Sequence, residues 1–128
     1  MENTLDRKVT GITTSINNVN YVGGLLAFDF DHPSGTINAL GDDYFSEDEK
    51  LLGEGTSSEE AHEFEGCTVE GDSGGPLFVR DGNTWKLAGV LSGGLSEPVP
   101  NYKTSSYGDV SIFTRVSQNI SWIESIVQ

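Results

Sequence analysis

The chain has 128 residues, a formal net charge of −13 and 16 glycines, with hydrophobic residues making up 35% of the sequence. That size fits one domain with one core, and the glycine-rich, turn-rich make-up suits an all-β fold. The strong negative charge excludes nucleic acid and anionic membranes as partners, because phosphate recognition needs a cationic footprint.

No run approaches the roughly 18 apolar residues that cross a bilayer. The opening residues Met1 to Asp6 have neither a basic region nor an apolar core, so no signal peptide is expected there. If the intact protein is exported, its export signal lies elsewhere. The single cysteine, Cys67, has no partner for an internal disulfide. It reads as a semi-buried thiol, with a bridge to another segment as the lesser alternative.

In chain order, Val9 to Ile16 predicts a strand, Asn17 to Asn20 a turn, and Tyr21 to Phe30 a second strand. Residues 31–65 read as an exposed acidic loop. Asp42, Asp43, Glu47, Asp48, Glu49, Glu54, Glu59, Glu60, Glu63 and Glu65 are opposed there only by Lys50. A calcium site would be the pointed reading of so many carboxylates, but the Asp-x-Asp-x-Asp-Gly order with a distal Glu is absent. No metal or other cofactor is expected.

Pro76 to Arg80 and Thr84 to Ser92 predict a hairpin turning through Asp81-Gly82-Asn83, where glycine accepts positive φ. Leu95 to Tyr107, with Pro98 and Pro100, reads as loop, and Val110 to Val116 as a strand. Ser117 can cap a helix over about 117–127, with Val116, Ile120, Ile123 and Val127 on one stripe widened by Trp122 and Ile126. The expectation is an amphipathic helix docked on the domain. Its polar face lacks the lysines and arginines of a membrane-surface helix.

The chemistry centres on Gly71-Asp72-Ser73-Gly74-Gly75-Pro76-Leu77. Acyl transfer needs a nucleophilic oxygen and donors aimed at the developing oxyanion, and a serine on a tight turn between glycines can supply both. The stretch also fits Gly-x-Ser-x-Gly, the nucleophile elbow of α/β-hydrolases. That elbow runs into a helix, whereas Pro76-Leu77-Phe78-Val79 is strand-like.

From Cys67 onwards the pattern resembles the chymotrypsin/trypsin-like serine peptidases, specifically the second, nucleophile-bearing barrel. Val90-Leu91-Ser92-Gly93-Gly94, Phe113-Thr114-Arg115-Val116 and Trp122-Ile123 follow the nucleophile motif in the family's order. Lys8-Val9-Thr10 and Leu25 to Asp31 look, more loosely, like the start of that barrel in bacterial secreted members. The resemblance implies a six-stranded antiparallel Greek-key barrel with a C-terminal helix, spanning 1–128 as one domain. It makes Ser73 the nucleophile and the backbone N–H groups of Gly71 and Ser73 the oxyanion hole. By the same resemblance Asp72 supports that hole, and Ser92, Gly93 and Gly94 pair with the substrate backbone. The implied substrate is a peptide or protein, and the implied location is extracellular.

The match has gaps. The family's histidine and aspartate, which precede the serine on the first barrel, have no counterpart here. The only histidines are His32, in a turn, and His62, eleven residues before Ser73 and beside Glu63. The position six residues before the nucleophile, Asp in trypsin-like enzymes, holds Cys67. Val69 stands where the family has a cysteine, so a preference for Arg or Lys is not supported. Three readings stay open: the serine-bearing half of a peptidase whose other barrel is missing, a non-catalytic peptidase-like binding module, and an esterase using His62 as base.

Overall fold

The structure, a computed structural model, describes residues 1–14, 21–40, 49–54, 57–95 and 105–127. The expected turn at 17–20, the acidic residues at 41–48 and the two prolines of the 95–107 loop lie outside the described residues. Among the described residues the strands are β1 Arg7–Thr14, β2 Tyr21–Asp29, β3 Glu49–Glu54, β4 Pro76–Asp81, β5 Thr84–Leu95 and β6 Val110–Arg115. A 3-10 turn at Val116–Gln118 leads into one helix, α1, at Ile120–Ile126.

These strands form one antiparallel sheet in the order β3-β1-β2-β6-β5-β4. The sheet is open, which corrects the expectation of a closed barrel. Closure needs the terminal strands to pair. The terminal strands here are β3 and β4, and they do not pair with each other among the described residues. β3 is not among the elements expected from sequence. It falls in the acidic stretch read as loop, and its Glu-Lys-Leu-Leu-Gly-Glu sequence has weak strand propensity. Pairing with β1 from Lys8↔Glu54 to Thr14↔Glu49 holds it in place.

The centre of the sheet is buried on both faces. Leu25 and Ala27 of β2 pack with Val9, Ala39, Leu40, Val110 and Ile112 on one side. Leu26 and Phe28 pack with Leu91 and Phe113 on the other. This is why β2 carries an unbroken apolar run instead of alternation. The Phe28 and Phe113 rings meet with centroids 5.4 Å apart.

The β4–β5 hairpin turns at Gly82, φ 60°, between Asp81↔Thr84, so glycine supplies the positive φ that a glycine-first tight turn requires. Ser117 does not cap α1. The residue before the helix is Asn119, whose amide side chain donates back to the Arg115 carbonyl at 2.9 Å. No residue of α1 is buried, so the expected docking of its apolar stripe is also corrected: Trp122 is 66% exposed. Among the described residues no helix is long and apolar enough to cross a membrane.

Candidate active site

Ser73 sits in a turn between Thr68 and β4. Two hydrogen bonds fold that turn: Asp72 N–H to the Val69 carbonyl at 3.1 Å, and Gly75 N–H to the Asp72 carbonyl at 2.9 Å. Gly71 and Gly74 take φ of 103° and 87°, a region that side chains strain against. Gly75 is needed for a different reason, since a Cβ there would lie 2.9 Å from the Asp72 carbonyl oxygen. Gly74 N–H then donates to the Leu91 carbonyl at 2.9 Å, and Leu91 N–H to the Gly75 carbonyl at 2.8 Å. The turn is thereby stitched to β5.

The N–H groups on either side of Asp72 stand apart from its own. Asp72, Gly74 and Gly75 all spend their N–H on backbone carbonyls. Among the described residues, the N–H groups of Gly71 and Ser73 make no hydrogen bond, and neither does the Ser73 hydroxyl. Ser73 is exposed. Asp72 is exposed too, and its carboxylate accepts the Val69 N–H at 3.0 Å, bracing the turn from within.

Ser92, Gly93 and Gly94 lie in β5 beyond its pairing with β4, which ends at Pro76↔Val90. Along this stretch β5 is bonded to β6 alone, with a register shift between Leu91 and Gly93 that makes Ser92 the extra residue. The Ser92 and Thr114 hydroxyls are 2.5 Å apart and hold the bulge. Gly94 is required by contact, because a Cβ would meet the Val110 carbonyl oxygen at 2.9 Å. The edge of β5 nearest the nucleophile turn is therefore free of a neighbouring strand among the described residues.

The segment leading into the turn is fixed by Thr68, whose N–H and hydroxyl reach the Ser111 hydroxyl of β6 at 3.2 and 2.8 Å. Cys67, next to it, is half-buried and unpaired with any other cysteine. Burial first, and the Asp109 carboxylate second, push its thiol up from the ordinary value, so it is a poor nucleophile.

Neither histidine joins Ser73. The His62 Nε2 is bonded to the Thr4 hydroxyl at 2.8 Å, and its backbone N–H donates to Glu65 Oε2 at 2.7 Å. Glu65, not Glu63, is thus its acidic neighbour, and through the backbone. His62 does share a cleft of about 990 Å³ with Asp72, Gly75, Phe28, Phe78 and Trp85. His32 is tied up locally, its Nδ1 accepting the Ser34 N–H at 3.1 Å while its ring stands edge-on to Tyr107. Among the described residues the nucleophile turn is present and no general base is seated beside it.

The sequence comparisons show the family to which this arrangement of turn, hairpin, bulged strand and terminal helix belongs. The family description "Trypsin" matches residues 47–123, and the chain belongs to that family. Among curated proteins it is similar to human transmembrane protease serine 5, at 37% identity over 59 residues, which is 46% of this chain. The chain spans 11% of that relative's length. The likeness holds at family level and gives no support for a bacterial lineage. No solved structure matches the chain.

Proposed function

We propose that this chain is the nucleophile-bearing half of a secreted trypsin-like serine endopeptidase, in which Ser73 attacks the scissile carbonyl of a peptide or protein substrate. The observation that carries this reading is the pair of unspent N–H groups at Gly71 and Ser73, on either side of Asp72, in a turn whose Asp72, Gly74 and Gly75 N–H groups are all spent. Donors left free in a rigid turn cost nothing further to align when negative charge develops on the substrate oxygen. The open edge of β5 at Ser92, Gly93 and Gly94 is where an extended substrate would add as a strand. Asp72 braces the turn that carries the donors.

The attack also needs a base to take the Ser73 proton and, later, to give it to the leaving amine. This reading assigns that base and its orienting aspartate to a first barrel outside these 128 residues. Without them Ser73 is an ordinary alcohol, and the loss of a triad base removes several orders of magnitude in rate. The test joins the chain to the N-terminal barrel of a trypsin-like domain, covalently or in trans, and measures peptide hydrolysis. Activity that vanishes in Ser73→Ala supports the reading. A folded assembly with no Ser73-dependent activity counts against it.

A binding role is the second reading, favoured by the apolar residues on the β4–β5 hairpin: Phe78 and Trp85 are 54% and 64% exposed. It predicts peptide binding that Ser73→Ala leaves unchanged, and no gain of hydrolysis when the chain is joined to a first barrel.

A further inference from the structure

The most unusual chemistry in the molecule lies away from Ser73, in a group of buried aspartates. Asp6, Asp29 and Asp31 are only 6%, 1% and 4% exposed. Asp6 precedes β1, while Asp29 ends β2 and Asp31 lies two residues beyond it. The Asp6 carboxyl lies against that of Asp29, and two buried carboxyls side by side favour a proton between them. Asp31 Oδ1 is buried and has no hydrogen-bond partner.

The Asp6 and Asp29 carboxyls also hold backbone. Asp6 Oδ1 accepts the Ser58 N–H at 2.9 Å, and Asp29 Oδ2 accepts the Leu40 N–H at 2.9 Å. The Ser57 hydroxyl reaches Asp29 Oδ1 at 3.5 Å. The Asp31 N–H donates to Glu65 Oε1 at 2.8 Å. The cluster thus fastens both ends of the segment that runs from Ser57 towards Thr68 and the nucleophile turn.

The charged groups around it are mostly of one sign. Glu59 and Glu65 face Asp31 from the 57–68 segment. Arg7, on β1, directs its guanidinium to the Leu40 carbonyl. The direct contact between the Asp6 and Asp29 carboxyls makes a proton the neutralising species, and among the described residues no three His, Cys, Asp or Glu side chains are arranged to hold a metal ion. Burial first, with the contact to Asp29 adding to it, pushes Asp6 up to about 8. Burial, then the charges of Asp29, Glu65 and Glu59, pushes Asp31 up to about 7.

We propose that Asp6, Asp29 and Asp31 form a proton-held latch, in which a proton shared by the Asp6 and Asp29 carboxyls clamps the Ser57–Thr68 segment to the sheet, and departure of that proton to water frees it. With Asp6 ionised, like charges face one another inside the protein, and separating them means releasing Ser57 and Ser58. The direction follows from the raised values. Clamping is complete below the ordinary aspartate range and is lost as pH rises through it to about 8. Mild acid locks the approach to Ser73, and alkali loosens it.

Amide hydrogen exchange on the unmodified chain from pH 5 to 8, corrected for intrinsic rates, tests the latch. Protection of the Ser58 and Leu40 N–H groups should fall about tenfold per pH unit for the one proton released, relative to the Leu26 N–H of β2. Asp6→Asn keeps a donor for Asp29 and should remove that pH dependence. Carbon-13 titration of the wild-type side-chain carboxyls reads the same proton without any substitution, and one carboxyl should titrate above pH 6. The latch is overturned by Ser58 and Leu40 protection that does not change with pH, by an unchanged slope in Asp6→Asn, or by carboxyls that all titrate below pH 5. Millimolar calcium that restores full protection at pH 8 would equally overturn it, by assigning the cluster to a cation.

Discussion

The central strands β2 and β6 pair without a register shift and the outer hairpin β4–β5 with one, and the two regions are opposite in environment. β2 is covered on both faces, with Leu25 and Ala27 on one side and Leu26 and Phe28 on the other. The hairpin leaves Phe78, Trp85, Leu87 and Val90 in solvent, and α1 leaves Ile120, Trp122 and Ile126 there too. Leu77, Ala88 and Leu91 tie the hairpin to the core on one side, whereas its other side is left without cover. The contrast is that of a domain stabilised from within by its middle strands, with apolar side chains on its outer elements that await another body. Exposed apolar patches of this sort mark interaction surfaces.

Substitutions should divide along that line. Phe113→Ala removes a ring from the Leu26, Phe28 and Leu91 cluster. Its cost should be about 3–5 kcal/mol, measured by urea unfolding, comparable to the whole stability of a small domain. A loss near zero would mean the centre is not the stabilising region. Gly75→Ala comes next, since the new methyl meets the Asp72 carbonyl at 2.9 Å. About 1–3 kcal/mol should be lost, together with any Ser73 reactivity gained by joining the chain to a first barrel. Trp85→Ser sits at the far end, within about 0.5 kcal/mol of wild type, while weakening whatever binds the hairpin. Ser73→Ala should leave stability unchanged, because its hydroxyl bonds to nothing among the described residues.

Much of this architecture is legible in the sequence. Asp81-Gly82-Asn83 announces its turn because glycine's positive φ is a local requirement, and Leu25 to Phe28 announces a buried strand by composition. Gly71 and Gly74 can be placed around Ser73 for the same local reason. What the sequence hides is non-local. β3 exists because β1 offers an edge, and nothing within Glu49 to Glu54 signals that. Sheet closure is hidden for the same reason, since it depends on whether the two end strands, β3 and β4, meet. The stripe on α1 is periodic as expected, but periodicity identifies a face without saying what covers it.

The aspartate cluster escapes a reading by elements although a signal is present. In Phe28-Asp29-Phe30-Asp31 the acids alternate with aromatics, in a strand whose neighbours are fully apolar. Charges at those positions must be buried, and buried acids must be neutralised. Read locally, they look like the polar end of a strand leading into a loop.

The central claim is that the nucleophile turn is formed while its base lies outside these residues. Fluorophosphonate labelling tests it most directly, on the 128-residue chain shown to be folded by near-ultraviolet circular dichroism, alone and joined to the N-terminal barrel of a trypsin-like domain. The account predicts no label on the chain alone and a label on Ser73, absent in Ser73→Ala, once the barrel is present. A label on the chain alone that disappears in both Ser73→Ala and His62→Ala would contradict it, because His62 would then be the base and the half would be complete in itself.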